Sequence, residues 1–175
     1  SYLRDYHKEN YQFTDRGLRL RGTKITLDEA DTPTFAGIRQ SEFHTCLNVS
    51  VSGEAKEAGI TFYMDESQHY DLSLVQEKGE RKAVLRLRIG DAACIANTVD
   101  LPEGMEKVEF SVVSDPDRYE FYCMVDGEKK FLGSARTKYL SSEVAGGFTG
   151  VLMGLYAVDE DGKWAEFEEL EWKQG

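Results

Sequence analysis

Apolar and polar residues alternate with a period of two through segment after segment of this chain, and that period narrows the accessible folds more than anything else in it. Phe43, Thr45, Leu47, Val49 and Val51 interleave with His44, Cys46, Asn48 and Ser50. The same pattern recurs in Ile60-Phe62-Met64, Tyr70-Leu72-Leu74, Leu85-Leu87-Ile89, Val108-Phe110-Val112, Tyr119-Phe121-Cys123-Val125 and Val151-Met153-Leu155-Ala157. Successive side chains of a strand point to opposite faces, so each run buries one face and wets the other. Ser52-Gly53, Lys78-Gly79, Asp115-Pro116-Asp117, Asp126-Gly127 and Asp161-Gly162 punctuate the runs with residues that favour turns. Short alternating strands at this spacing predict an all-β sandwich of two antiparallel sheets. Asp126-Gly127 predicts a tight hairpin between Tyr119 and Leu132. The phase slip between Phe167 and Leu170 predicts a β-bulge at Glu168-Glu169. Helix is expected only as a turn or so between Lys138 and Ala145, with Ser141 or Ser142 as its cap.

The 175 residues contain no internal repeat, low-complexity tract or linker. They suit one domain spanning 1–175, large enough to bury about 70% of its unfolded surface. The chain opens at Ser1 on mixed apolar and polar residues, like the interior of a domain, so it reads as a piece excised from a larger protein. Any targeting signal would lie upstream. No run approaches the ~20 apolar residues of a membrane-spanning helix. The net charge of −11, with Lys and Arg scattered among the acids, would repel phosphate backbones and argues against nucleic acid. Cys46, Cys94 and Cys123 are odd in number, form no CxxC pair and lie in apolar contexts, so they read as buried free thiols.

Catalytic signatures are missing: the sequence has no G-x-S-x-G elbow, phosphate-binding glycine loop or H-E-x-x-H. His7, His44 and His69 are far apart in sequence and read as surface or internally satisfied residues. Asp159-Glu160-Asp161-Gly162 lacks the further ligands of a calcium loop and reads as a charged turn. Glu166, Glu168, Glu169 and Glu171 alternate with Ala165, Phe167, Leu170 and Trp172, as on the solvated side of a strand.

One segment stands apart. Gly146-Gly147-Phe148-Thr149-Gly150 sets a large aromatic among small residues just before an apolar strand. Glycine admits positive φ and close backbone approach, and an aromatic held on such a loop suits a sugar face or a second domain. The other reading is an ordinary turn whose Phe folds back into the core.

The stretches Gly17-Leu18-Arg19-Leu20-Arg21-Gly22, Asp31-Thr32-Pro33-Thr34-Phe35-Ala36-Gly37-Ile38-Arg39-Gln40, Gly147-Phe148-Thr149-Gly150 and Ala165-Glu166-Phe167-Glu168-Glu169-Leu170-Glu171-Trp172 occur in one order across nearly the whole chain. Together they resemble the C-terminal domain of family-43 glycoside hydrolases, the β-xylosidases and α-L-arabinofuranosidases. The resemblance implies a concanavalin A-like, jelly-roll sandwich following a catalytic five-bladed β-propeller in the same polypeptide, with xylo- or arabino-oligosaccharides as substrates. It implies a non-catalytic role in which Phe148 helps close the sugar pocket and Arg39, Gln40 and Thr149 are candidates for the interdomain interface. The family's Arg-Arg-Gln appears here as Ile38-Arg39-Gln40, so the first arginine's contact does not carry over. No cofactor is expected; calcium is the one candidate, since some members bind it at the sandwich, although Glu166 stands where the family usually has Asp. The alternative is an autonomous, lectin-like carbohydrate-binding module using Tyr63, Tyr122, Tyr156, Trp164 and Trp172 as a stacking platform. For the enzyme implied, bacterial cytoplasm, periplasm and secretion all stay open.

Overall fold

A computed structural model of the chain describes residues 7–140 and 150–175. Its strands are β1 (Tyr11–Phe13), β2 (Gly17–Arg21), β3 (Thr34–Arg39), β4 (Thr45–Gly53), β5 (Glu57–Asp65), β6 (Gln68–Glu77), β7 (Glu80–Ile89), β8 (Ala92–Asp100), β9 (Val108–Ser114), β10 (Arg118–Val125), β11 (Glu128–Arg136), β12 (Leu152–Val158) and β13 (Trp164–Gln174). They form a seven-stranded sheet, β1-β2-β13-β4-β9-β10-β11, and a six-stranded sheet, β3-β12-β5-β6-β7-β8. Every neighbouring pair is antiparallel.

The core lies between the sheets and uses the alternating sets read from the sequence. Leu47, Val49, Val51, Val108, Phe110, Val112, Tyr119, Phe121 and Cys123 face Ile60, Phe62, Tyr70, Leu72, Leu74, Leu85, Met153 and Leu155, all buried. At its centre the Phe62 ring lies 4.6 Å from that of Tyr119, and Tyr70 meets Phe121 edge-on at 89°. Such aromatic contacts add to the burial itself about 0.5–1.5 kcal/mol per pair.

The turn chemistry holds. Asp126 and Gly127 take φ of 53° and 77° between β10 and β11, and Lys78 and Gly79 take 52° and 80° between β6 and β7. In both hairpins two consecutive residues with positive φ match the right-handed twist of the strands. The bulge falls where the phase slips: the register of β13 against β4 shifts between Glu168 and Glu171, and Glu169 has φ of 55°.

Three features depart from the sequence reading. Strands β1, β2, β3 and β8 were not among the expected strands; β8 carries no clean alternation and forms because β7 offers it an antiparallel ladder. The helical turn before the Gly-rich segment is a 3₁₀ turn at Thr137–Leu140, and Ser141, Ser142 and the rest of the expected helix lie outside the described residues. The thiols are free, but Cys123 alone is buried; Cys46 is half-buried and Cys94 exposed.

Candidate functional site: one end of the six-stranded sheet

Strand register brings a defined set of residues to one end of the six-stranded sheet. Leu152 pairs with both Arg39 and Tyr63, Asp65 pairs with Gln68, and Gln68 pairs with Ile89, which in turn pairs with Ala92. The described residues on either side of 141–149 lie here, and both of these stems are anchored. On one side Thr137 donates its N–H to the Asp117 carbonyl and its hydroxyl to the Asp115 carbonyl, while Leu140 is buried in the core. Next to Leu140, the Tyr139 carbonyl accepts from the Gln68 amide. On the other side Gly150 takes φ of 97°, a conformation that favours glycine, and Val151 is fully buried with its carbonyl accepting from the Gln40 N–H.

Of the residues singled out from the sequence, Phe148 and Thr149 lie outside the described residues. Arg39 is exposed at the end of β3, and no described residue pairs with its guanidinium. Gln40 is not a surface group: it is 1% exposed, and its amide is used inside the sandwich. Its nitrogen donates to the Glu42 carbonyl and the hydroxyls of Thr45 and Ser114, and its oxygen accepts from the Tyr119 hydroxyl at 2.7 Å. A buried amide must satisfy its donors and acceptor internally, so Gln40 locks β3, β4, β9 and β10 together directly behind Arg39.

A second network lies on the outer face of the same sheet, beneath the connection formed by residues 22–33. Leu27 of this strap is buried with Phe35, Tyr63 and Tyr156 in a small apolar cluster. Beside it His69, 1% exposed, places both ring nitrogens against carboxylates: Nδ1 at 2.9 Å from Asp71 and Nε2 at 2.9 Å from Asp28. A neutral imidazole has one N–H, so two carboxylate partners call for the imidazolium. Burial works against that charge, but Asp71 and Asp28 outweigh it and raise the His69 pKa above its ordinary value. Burial likewise raises Asp71, with the imidazolium and the Thr61 hydroxyl, which donates to it at 2.8 Å, acting in opposition. Further along this face Arg86 grips Glu57 through two 2.9 Å bonds, and the Tyr156 hydroxyl donates to Glu57 at 2.7 Å.

These groups resemble acid–base machinery in composition only. His69, Asp71 and Tyr156 are buried and satisfied within the protein, His69 by Asp71 and Asp28 and Tyr156 by Glu57, whereas a general acid or base has to reach a substrate proton. Of the two readings the sequence left for His69, surface or internally satisfied, the second holds. Its partners were not legible: His69, Asp71 and Ser73 alternate with Tyr70, Leu72 and Leu74, a pattern that suits a solvated face, and nothing local says that a connection more than 30 residues upstream covers it.

The acidic residues of β13 are engaged separately. Glu166 lies 3.3 Å from Arg19, Glu168 meets Lys107 at 2.8 Å, and Glu169 accepts from the Ser50 hydroxyl. Asp159 accepts backbone N–H groups from Lys56, Asp161 and Lys163. Among the described residues no three His, Cys, Asp or Glu side chains converge as a metal-binding group. The aromatics of the platform reading are dispersed. Tyr63 and Tyr156 are buried beneath the strap, Tyr122 and Trp164 lie on the outside of the seven-stranded sheet, and Trp172 stands in an apolar groove at the open side of the sandwich. Tyr122 and Trp164 are three strand spacings apart across the sheet, ~14 Å, and are offset further along it, since Tyr122 is level with Asn48 while Trp164 lies beyond Gly53.

A family model described as the β-xylosidase C-terminal concanavalin A-like domain matches residues 1–173. The chain belongs to that family. It is 32% identical over 163 residues to the non-reducing end α-L-arabinofuranosidase BoGH43B of Bacteroides ovatus, covering 90% of this chain and 31% of the relative. The solved structure of a Bacteroides ovatus xyloglucan-locus GH43B protein superposes with a TM-score of 0.86 at 29% identity, over 99% of this chain and 36% of that one. A xylan β-1,4-xylosidase from Bacillus halodurans C-125 shares the fold, with a TM-score of 0.77 at 21% identity over 90% of this chain and 32% of that one. The C-terminal concanavalin A-like domain thus spans about a third of the length of these relatives, and its two antiparallel sheets are the family's architecture.

Proposed function

We propose that this domain is the non-catalytic sandwich of a glycoside hydrolase acting on xylo- or arabino-oligosaccharides, seated on a catalytic β-propeller of the same polypeptide and closing its sugar pocket with Phe148. One observation carries the reading: both stems of residues 141–149 are fixed in the core at the same sheet end where Arg39 is left exposed. Buried anchors on both sides limit where such a segment can go, as presenting one aromatic to a partner's pocket requires. The relatives' names and the domain's share of their length supply the reaction class. In this role the domain transfers no proton. An aromatic wall keeps water out and holds the sugar in its reactive pose, strengthening the polar contacts beside it. Arg39 and Thr149 would meet the propeller, while Gln40 acts from behind.

The test is Phe148→Ala in the full-length enzyme. A drop in kcat/KM of about 10-fold, or ~1.4 kcal/mol of transition-state stabilisation, is expected, with the sandwich's unfolding unchanged. A variant with normal kinetic constants that unfolds early would place Phe148 in the core and overturn the reading.

A further inference from the structure

The two sheets present four edges, and three of them are protected against pairing with another chain. Strand β1 has only three residues. Strand β11 begins with exposed Glu128, Lys129 and Lys130 and carries an irregularity opposite Phe121-Tyr122. On β3 the Tyr11 hydroxyl occupies the free backbone, donating to the Phe35 carbonyl at 3.0 Å and accepting from the Phe35 N–H at 2.9 Å. Charges, bulges, shortness and covering groups are the usual ways a soluble protein blunts an edge.

Strand β8 is the exception. From Ala92 to Ile95 it reads Ala-Ala-Cys-Ile, every residue exposed, Ile95 at 61%. This stretch contains no lysine, proline or charge. The register against β7 shifts only beyond Ile95, and after that bulge the Asn97 amide donates to the Leu132 carbonyl of β11, so the second half of β8 is tied to the other sheet. Among the described residues no side-chain bond ties the other sheet to the first half. Around it the apolar surface continues onto Leu87 and Ile89 of β7, which are only partly buried.

We infer that the free edge of β8 from Ala92 to Ile95 is a docking surface for the catalytic domain of the same polypeptide. The inference rests on the function proposed above. Position supports it: Ala92 pairs with Ile89 and Ile89 with Gln68, whose amide bonds the Tyr139 carbonyl at the stem of residues 141–149. The bare edge and the stem therefore share one end of the sheet. Size argues against a second copy. Four residues of edge fall far short of the roughly 20–30 residues a side of a stable interface between separate proteins, and two chains of net charge −11 repel. A tethered domain meets the same small surface at an effective concentration of about millimolar, where weak contacts suffice.

Cys94 lies within this edge and reports on it. In the full-length polypeptide, maleimide labelling of Cys94, followed by peptide mapping, should be slower by about 10-fold or more than in the same protein carrying Ile95→Lys or Ile95→Glu, which place a charge in the contact. The two variants shift the thiolate fraction in opposite directions, so acceleration in both isolates access from reactivity. Labelling of wild-type Cys94 as fast as in both variants means an open edge and overturns the inference. Protection that grows over about a hundredfold rise in protein concentration, with a dimer in sedimentation, assigns the edge to a second copy and overturns it as well. The kinetics of Phe148→Ala report on the pocket separately, so either proposal can fail while the other stands.

Discussion

Removing the His69 imidazole should destabilise the sandwich in a pH-dependent way, because a buried carboxylate would lose its countercharge. In His69→Ala the Asp71 carboxylate, itself 1% exposed, keeps only the Thr61 hydroxyl among its polar side-chain partners. Breaking a buried pair by deleting one partner costs about 3–5 kcal/mol. Asp28→Ala should cost less, about 1 kcal/mol, because Asp28 is the 39% exposed partner, its removal lets water reach Nε2, and His69 keeps Asp71 on Nδ1. For a chain of this length each kcal/mol moves Tm by about 2–4 °C, placing His69→Ala roughly 10 °C below wild type and Asp28→Ala within a few degrees. The folded-state pKa of His69 is raised, so its contribution is complete below the unfolded value of about 6.5 and is lost as pH rises through the higher folded value. The difference in unfolding free energy between wild type and His69→Ala, followed by Trp fluorescence in urea, should therefore be largest near pH 6 and shrink toward alkaline pH. Titration of Asp71, whose pKa burial raises, limits it on the acid side. A difference below about 0.5 kcal/mol, or one that grows with rising pH, would refute an imidazolium between two carboxylates.

Asp159→Ala should cost about 1–3 kcal/mol, since three backbone N–H groups lose their acceptor. Those bonds outweigh burial and lower the Asp159 pKa, so the difference from wild type should persist at neutral pH and fade only as acid takes the carboxylate through its depressed folded value, as acid titration of both proteins would show. Gly59→Ala should cost about 2–3 kcal/mol or prevent folding, because a Cβ there runs into the Leu72 carbonyl and the Ser73 Cα, backbone atoms of β6 that cannot step aside; normal expression and an unchanged urea midpoint would contradict this.

What the sequence discloses and what it hides divide along the range of the interactions. The inward sets of β4, β5, β6, β9, β10 and β12 are legible because side-chain alternation is local and one face of each strand is core. Asp126-Gly127 and the Glu168-Glu169 slip are legible because turn and bulge conformations are set by the residues that occupy them. The strap and the His69 network are hidden because they depend on which connection crosses which face, a property of the tertiary fold. Gln40 was visible through family resemblance but assigned to the surface, since a polar residue at the end of a strand looks the same whether its amide meets water or Thr45, Ser114 and Tyr119. Strand β8 was hidden for the opposite reason. Its exposed half is apolar on both faces, so it has no alternation to find.

Satisfied polar groups lie at both ends of the six-stranded sheet, with Glu57, Arg86, Tyr156 and Asp159 toward one and Gln40 and His69 toward the other, and the second set bears on what the domain can transmit. Gln40, His69, Asp71 and Thr61 are buried toward the sheet end that carries the stems of residues 141–149. The far end of the same sheet opens into a broad groove lined by side chains such as Lys56, Glu77, Arg81 and Asp161. A buried hydrogen-bond network stabilises less per group than apolar packing of the same volume, yet it tolerates only one arrangement of its donors and acceptors. A network placed directly behind the stems fixes the geometry there more than it raises stability overall. A surface that docks a second domain and presents an aromatic to its pocket needs that fixity, since errors of about 1 Å in a positioning contact can cost ~100-fold in rate. A change in the anchor, such as Gln40→Leu, should therefore reach catalysis through position, lowering kcat/KM in the full-length enzyme by more than its effect on the sandwich's unfolding accounts for; equal losses in the two would make Gln40 a stability residue only.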